Sequence, residues 1–260
     1  SGPVPTVAFI GAGNMAQALI GGLLDRQHPA DRLRAADPGS AAREQVAGLG
    51  PVHVTGDNAA AVAGADVIVL AVKPQVIDDV AGRLADALND GALVVSVAAG
   101  VPTTRLQRAL GGARPVVRAM PNTPALRGLG ATGLYASPGC SDAQRAGARA
   151  IFETVGMVVE VDDEALMDVV TAVSGSGPAY FFALAEALAD AGEAAGLPRD
   201  AARRLADRTA AGAGAMLADG SADAATLRER VTSPGGTTAA ALDRFAADGR
   251  GAMVRRAVDA

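Results

Sequence analysis

The sequence predicts an α/β chain in which a doubly wound sheet comes first and an all-helical part follows. Three observations carry this. Residues 6–10 form a short apolar run that leads directly into Gly11-Ala12-Gly13-Asn14-Met15-Ala16 and then a helical pattern to residue 24. Apolar runs at 33–36, 67–72, 93–97 and 116–119 alternate with helical spacers at 75–88 and 102–110, the spacing of parallel βαβ units. Strand signals stop near Asp162-Asp163, and helical patterns follow at 164–173, 178–195, 199–217, 226–231 and 234–247. The boundary is therefore set at 162, with residues 1–162 as a dinucleotide-binding domain and 163–260 as a helical domain.

The first strand and its loop explain that assignment. A strand, then G-x-G-x-x-A, then a helix is the dinucleotide fingerprint of a Rossmann-type fold. Gly11 makes the tight turn, Gly13 lets the backbone reach a pyrophosphate, and Ala16 permits close packing of helix on strand. Asn14 and Met15 open the helix beside the phosphate. The second strand, 33–36, ends at Asp37, where an acidic side chain accepts from a ribose 2′-OH and favours NAD. Pro38, Gly39, Ser40 and Arg43 follow closely and offer an alternative, a 2′-phosphate site. The residues at this position leave the choice between NADP and NAD open.

The third run, 67–72, is β-branched and apolar, as a strand buried on both faces requires. Ala71, Val72, Lys73 and Pro74 end it, delivering Lys73 to the edge of the sheet where ligands of open α/β sheets bind. Lys73 is the only lysine in the chain, and every other basic side chain is arginine or histidine. The run 93–97 ends at Ala98-Ala99-Gly100, small enough for a ring to lie against backbone. The run 116–119 ends at Met120-Pro121-Asn122-Thr123-Pro124. Residues 132–136 and 157–161 read as closing strands around a helix at 142–155.

In the helical part, Val231-Thr232-Ser233-Pro234-Gly235-Gly236-Thr237-Thr238 precedes an Ala-rich run. Ser233 reads as an N-cap and Pro234 as the first helical residue. A helix start leaves backbone N–H groups without partners and carries partial positive charge. Gly235 and Gly236 strip side chains from that turn, so a small carboxylate can touch backbone directly. Thr237 and Thr238 add hydroxyls for a polar atom beside it.

Composition narrows the remaining classes. A formal charge of -5 and the absence of a basic block argue against a nucleic-acid binder. Cys140 is the only cysteine, and His28 and His53 are the only histidines. No internal disulfide and no structural zinc are expected, and the compartment is expected to be reducing and cytoplasmic. No apolar run reaches the roughly 20 residues of a spanning helix, so no membrane partner is expected. Ser1-Gly2-Pro3 lacks the regions of a signal peptide and is expected to be a cloning remnant or a processed end.

Taken together the motifs are familiar. Phe9 to Ala16, Ala71-Val72-Lys73-Pro74, Val97-Ala98-Ala99-Gly100, Arg118-Ala119-Met120-Pro121-Asn122-Thr123-Pro124, Val173-Ser174-Gly175-Ser176-Gly177-Pro178-Ala179-Tyr180 and Ser233-Pro234-Gly235-Gly236-Thr237-Thr238 resemble those of pyrroline-5-carboxylate reductase, in the family's order. The resemblance implies reduction of L-1-pyrroline-5-carboxylate to L-proline by NADPH or NADH. It implies that Ser233, Gly235, Gly236, Thr237 and Thr238 hold the substrate carboxylate and ring nitrogen, with the Thr238 hydroxyl addressing the nitrogen. It makes the helical part a dimerisation domain, the dimers sometimes assembling into decamers. Asn58 matches a position on the adenosine ribose side. The chain departs from the pattern at Ala222-Asp223-Ala224-Ala225-Thr226, where the family usually reads Glu-His-Pro-Gly, so the shape of the flank of the pocket is open.

Three other readings compete. β-Hydroxyacid dehydrogenases share the plan but take the alcohol proton with a lysine of the helical domain, and no lysine follows Lys73. An imine reductase for a related cyclic imino acid would show a similar pocket motif. A non-catalytic cofactor-binding scaffold would have no need of an intact Ser233–Thr238 run.

Overall fold

The computed structural model describes residues 3–260. The expectation for Ser1 and Gly2 lies outside them. Eight strands form one sheet: β1 (Val7–Ile10), β2 (Leu33–Ala36), β3 (His53–Thr55), β4 (Val67–Leu70), β5 (Leu93–Ser96), β6 (Val116–Met120), β7 (Gly130–Ala136) and β8 (Gly156–Glu160). Their order is β3-β2-β1-β4-β5-β6-β7-β8. All neighbours pair in parallel except β6 and β7, which run antiparallel with Arg118 opposite Tyr135.

Burial explains why these segments are strands. Alternate residues of β1 enter opposite faces. Val7 and Phe9 join one core cluster with Leu19, Ile20 and Phe152. Ala8 and Ile10 join another with Ile68, Leu70, Ile77 and Leu106. Such a strand has no polar face, which is why it reads as continuous apolar sequence. The helices α1 (Asn14–Asp25), α2 (Ser40–Ala47), α3 (Asn58–Val62), α4 (Ile77–Leu84), α5 (Thr103–Ala109) and α6 (Asp142–Glu153) connect the strands. Of these, α6 carries a complete capping box, Ser141 with Gln144.

Two connections differ from the expectation. β3 has only three residues, and α2 and α3 around it have weak apolar patterns, so none of the three is visible in periodicity. The segment from Glu164 is not one continuous helix. α7 (Leu166–Val170) passes into a π-helical turn, Thr171–Gly175. The turn is held by Thr171 Oγ1 donating to the Met167 carbonyl and Ser174 Oγ donating to the Val170 carbonyl, the hydroxyl-to-backbone bonds that compete with a regular α-ladder.

By compactness the chain divides into one unit ending at Gly175 and a second spanning Ser176–Ala260. This packing boundary falls later than the change in composition at Asp162. Met167 of α7 is buried, and a Cβ on Gly133 of β7 would come within 2.5 Å of Val170, so the helix sits tightly on the sheet.

The second unit contains α8 (Gly177–Ala194), α9 (Arg199–Ala218), α10 (Ala224–Arg230), α11 (Thr237–Ala247) and α12 (Arg250–Asp259). α8 and α9 pack closely as an antiparallel pair through small residues, a Cβ at Gly192 lying 3.3 Å from that of Ala202. Phe181, Phe182, Leu184 and Leu188 of α8 stay exposed, as do Phe245, Met253 and Val254. Large apolar side chains left this open are typical of a surface that takes part in protein–protein contact.

Candidate active site

The C-terminal edge of the sheet is built around Gly11. Its φ is +97°, and a Cβ there would lie 2.3 Å from the Ala71 carbonyl oxygen. Its N–H donates to the Ala36 carbonyl at 2.8 Å. Only glycine fits, because the loop passes against the tip of β4. Gly13 differs: a Cβ there meets nothing within 4 Å. It is the N-cap of α1, with no side chain satisfying the helix. The start of this 12-residue helix therefore carries no side-chain cap, and the space beside Gly13 at its positive end is open, an arrangement suited to a pyrophosphate. Ala16 is fully buried against the sheet. The residues present thus fit a dinucleotide.

Two side chains hold this loop. Gln17 Nε2 donates to the Ala12 carbonyl at 2.8 Å. Asp37 Oδ2 accepts from the Ala12 N–H at 2.9 Å, while Oδ1 accepts from the Gly39 N–H at 2.8 Å. Asp37 thus stands at the end of β2 as expected, and its carboxylate braces the glycine loop. Arg43 Nη1 donates to the carbonyls of Asp37 and Pro38. Asn58, half-buried, is the first residue of α3 behind the N-cap Asp57.

Further along the edge, Ala71 continues the ladder after β4 through its N–H to Ile10. Val72 is half-buried, while Lys73 is exposed and, among the described residues, has no ion pair. Pro74 starts a short 3₁₀ turn. Ala98 is buried, Ala99 is exposed, and Gly100 has φ +70° with open space where a Cβ would be. Asn122 follows β6 with both ends of its amide engaged. Nδ2 donates to the Ser174 carbonyl at 3.0 Å and Oδ1 accepts from the Ala131 N–H at 2.9 Å. It ties the π-turn to the start of β7.

A buried ion cluster secures the same segment. Arg118, only 5% exposed, pairs with Glu164 at 3.2 Å. Glu164 also accepts from the Thr103 N–H at 2.7 Å and from Thr103 Oγ1 at 2.8 Å. The cue in the sequence is an arginine inside an apolar strand, which demands a partner when buried. Periodicity cannot say which acid supplies it.

In the helical unit, Ser233-Pro234-Gly235-Gly236 is a turn, not the start of the helix. The Gly236 N–H donates to the Ser233 carbonyl at 3.0 Å, and Gly235 has φ +70°, as a type II turn with proline then glycine at its centre requires. The reading of Ser233 as N-cap and Pro234 as first helical residue is therefore corrected. α11 begins at Thr237, and its N-cap is Gly236 with no side-chain cap. The positive φ at Gly235 closes the turn before helical geometry can start. The amides of Thr237, Thr238 and Ala239 are left without a side-chain acceptor, and the position of a Cβ on Gly235 is open space. The departure beside it forms an ordinary capped helix: Asp223 caps α10 by accepting from the Thr226 N–H at 2.8 Å. That bond lowers the pKa of the Asp223 carboxyl.

Comparisons with known proteins match these features. Residues 164–260 match the family model "pyrroline-5-carboxylate reductase dimerisation" and residues 6–100 match "NADP oxidoreductase coenzyme F420-dependent". The chain is 52% identical to the pyrroline-5-carboxylate reductase of Pseudomonas aeruginosa, over 98% of this chain and 94% of that one. The structure of a pyrroline-5-carboxylate reductase from Coxiella burnetii aligns with a TM-score of 0.94 at 37% identity, covering 99% of this chain and 96% of the other. The Plasmodium falciparum pyrroline carboxylate reductase, solved with NADP bound, aligns at 0.82 and 28% identity, covering 98% and 94%. Residues 164–260 thus carry the family's dimerisation region, and no helix among the described residues is long and apolar enough to cross a membrane. A glycine loop bare of side chains, a sheet edge built for a dinucleotide and full-length similarity to named enzymes converge: the chain belongs to the pyrroline-5-carboxylate reductases, NAD(P)H-dependent oxidoreductases that form proline.

Proposed function

We propose that the chain reduces L-1-pyrroline-5-carboxylate with the substrate carboxylate received by the amides that open α11 and the cofactor laid along the C-terminal edge of the sheet. The observation that carries the substrate half is the uncapped start of α11, where Gly235 and Gly236 leave Thr237 and Thr238 N–H groups bare. An anion at a helix start meets several donors and a favourable dipole at once. The Thr238 hydroxyl is assigned to the ring nitrogen. Gly11, Gly13, Asn14, Met15 and Ala16 are assigned to the pyrophosphate, Asp37 and Asn58 to the adenosine ribose side. Ala71, Val72, Lys73, Pro74, Ala98, Ala99, Gly100 and Asn122 line the path toward the nicotinamide.

NADP is the cofactor of this reading, with NADH as a second donor, supported by the NADP oxidoreductase model over residues 6–100 and by the NADP-bound relative. The reduced nicotinamide supplies a hydride to the carbon of the C=N bond. A cyclic imine is basic enough to be protonated in water, so the protein mainly orients: the imine carbon must lie about 3–3.5 Å from the donor. This suits motifs that contain no histidine. Lys73 supports the cofactor rather than transferring a proton. The working assembly is a dimer built through the helical unit, with a dimer-based decamer as its larger form, acting in the cytoplasm on a small imino acid without nucleic acid.

The test is loss of NADPH absorbance on addition of pyrroline-5-carboxylate, run beside NADH and beside a six-membered cyclic imino acid. Turnover confined to the five-membered substrate is expected. A preference for the six-membered ring would reassign the substrate.

A further inference from the structure

We propose that Arg43 is the residue that reads the 2′-phosphate of NADP and so sets the cofactor preference of this chain. The proposal rests on the cofactor assignment above and deepens it. At the tips of β2 and β3 the structure places two carboxylates and one guanidinium. Both carboxylates face backbone amides. Asp37 accepts from Ala12 and Gly39, and Asp57 caps α3 by accepting from Ala59 and Ala60. The guanidinium belongs to Arg43, on the first turn of α2.

Arg43 is half-buried. Its Nη1 is fixed by the Asp37 and Pro38 carbonyls at 2.7 and 2.9 Å. A Cβ at Gly56, just after β3, would lie 3.6 Å from that same nitrogen. The head group is therefore held across the gap between the two strand ends, where the adenosine ribose of a dinucleotide ends in this fold. Among the described residues it has no carboxylate partner: the ion pairs of the chain involve other arginines. Only Nη1 is used, so the Nε and Nη2 donors of the fork remain for a ligand.

A half-buried arginine with a fixed head, no carboxylate within ion-pair distance and a free pair of donors is matched by a phosphate dianion, which a planar fork can bind through two bonds. A ribose hydroxyl gives no such return. The carboxylate of Asp37 would oppose a 2′-phosphate if it pointed outward. One of its oxygens is held on the glycine loop by the Ala12 N–H and the other in its own turn by the Gly39 N–H. The two residues thus divide the work: Asp37 positions the loop for either cofactor, and Arg43 discriminates between them.

The test measures the ratio of two dissociation constants, for NAD⁺ and for NADP⁺, by calorimetry on the unmodified dimer and on Arg43→Gln and Arg43→Lys. Binding is read directly, so the result stands whether or not the imine substrate has been assigned correctly. The unmodified protein is expected to prefer NADP⁺. Arg43→Gln is expected to reduce that preference at least tenfold. Arg43→Lys, which keeps the charge but loses the fork, is expected to retain part of it and serves if the glutamine variant does not fold. An unmodified protein with no preference for NADP⁺ overturns the proposal. So does an unchanged ratio in both variants, even where both cofactors bind more weakly, because that is the behaviour of an arginine that only closes the β2–α2 turn.

Discussion

Replacing Gly11 and Gly13 one at a time by alanine separates the two tasks of the glycine loop. At Gly11 the added methyl meets the Ala71 carbonyl oxygen at 2.3 Å, and φ is +97°. A left-handed backbone costs an L-residue roughly 1–2 kcal/mol, and overpacking a well-filled site adds about 1–3 kcal/mol. Gly11→Ala should therefore lose about 2–5 kcal/mol of a total on the order of 5–15 kcal/mol. For a chain of this size that lowers Tm by roughly 4–20 °C. At Gly13 the methyl meets nothing within 4 Å, so Gly13→Ala should melt within a degree or two of the parent. On the cofactor assignment proposed above, the methyl would instead occupy the space through which a pyrophosphate oxygen would reach the Asn14 amide. Loss of one such bond costs about 1.5–3 kcal/mol, a tenfold or greater rise in the cofactor Kd. The assay pairs differential scanning calorimetry without cofactor with titration of NADP⁺. A Gly11→Ala protein that melts like the parent, or a Gly13→Ala protein that binds cofactor as tightly, refutes the reasoning.

Thr238→Ala should lower kcat/KM at least tenfold, since a hydrogen bond to a charged ring nitrogen is worth about 1.5–3 kcal/mol; unchanged steady-state kinetics would remove the hydroxyl from the reaction. Glu164→Ala leaves the buried guanidinium of Arg118 with only the longer contact to the exposed Asp168 carboxylate at 3.8 Å, a loss of about 3 kcal/mol at most that urea unfolding would register, while Glu164→Gln keeps an acceptor for Thr103 and should lose less. Lys73→Met should weaken NADPH binding; full affinity with turnover lost would instead assign Lys73 to proton transfer. Burial depresses the pKa of His28 against a weaker, opposing hydrogen bond to the Pro5 backbone. The unfolded chain therefore binds the proton more readily, and stability should fall as pH drops below about 6.5, the unfolded value. His28→Gln should flatten that part of the melting profile, and a slope equal to the parent's between pH 7.5 and about 5.5 would argue against it.

The strands buried on both faces were legible without coordinates, because an element with no polar side leaves an unbroken apolar run, as Val67–Leu70 shows. The constraint on Gly11 was legible for a related reason: it is local, a backbone conformation and a close approach to the Ala71 carbonyl. The Ser233–Gly236 turn was legible in its parts but not in its geometry. Ser233 and Pro234 have the chemistry of a helix start, yet the positive φ of Gly235 defers the helix to Thr237.

Other features came only with the fold. β3 and the helices beside it are too short to print a period, and the antiparallel turn from β6 to β7 leaves none either. The pairing of Arg118 with Glu164 joins residues far apart in the chain, as does the hold of Asp37 on Ala12. A sequence pattern records what each residue needs nearby: an apolar neighbour, a left-handed turn, a partner for a buried charge. Which distant atom meets that need depends on how the strands are ordered, and only three-dimensional packing settles that order.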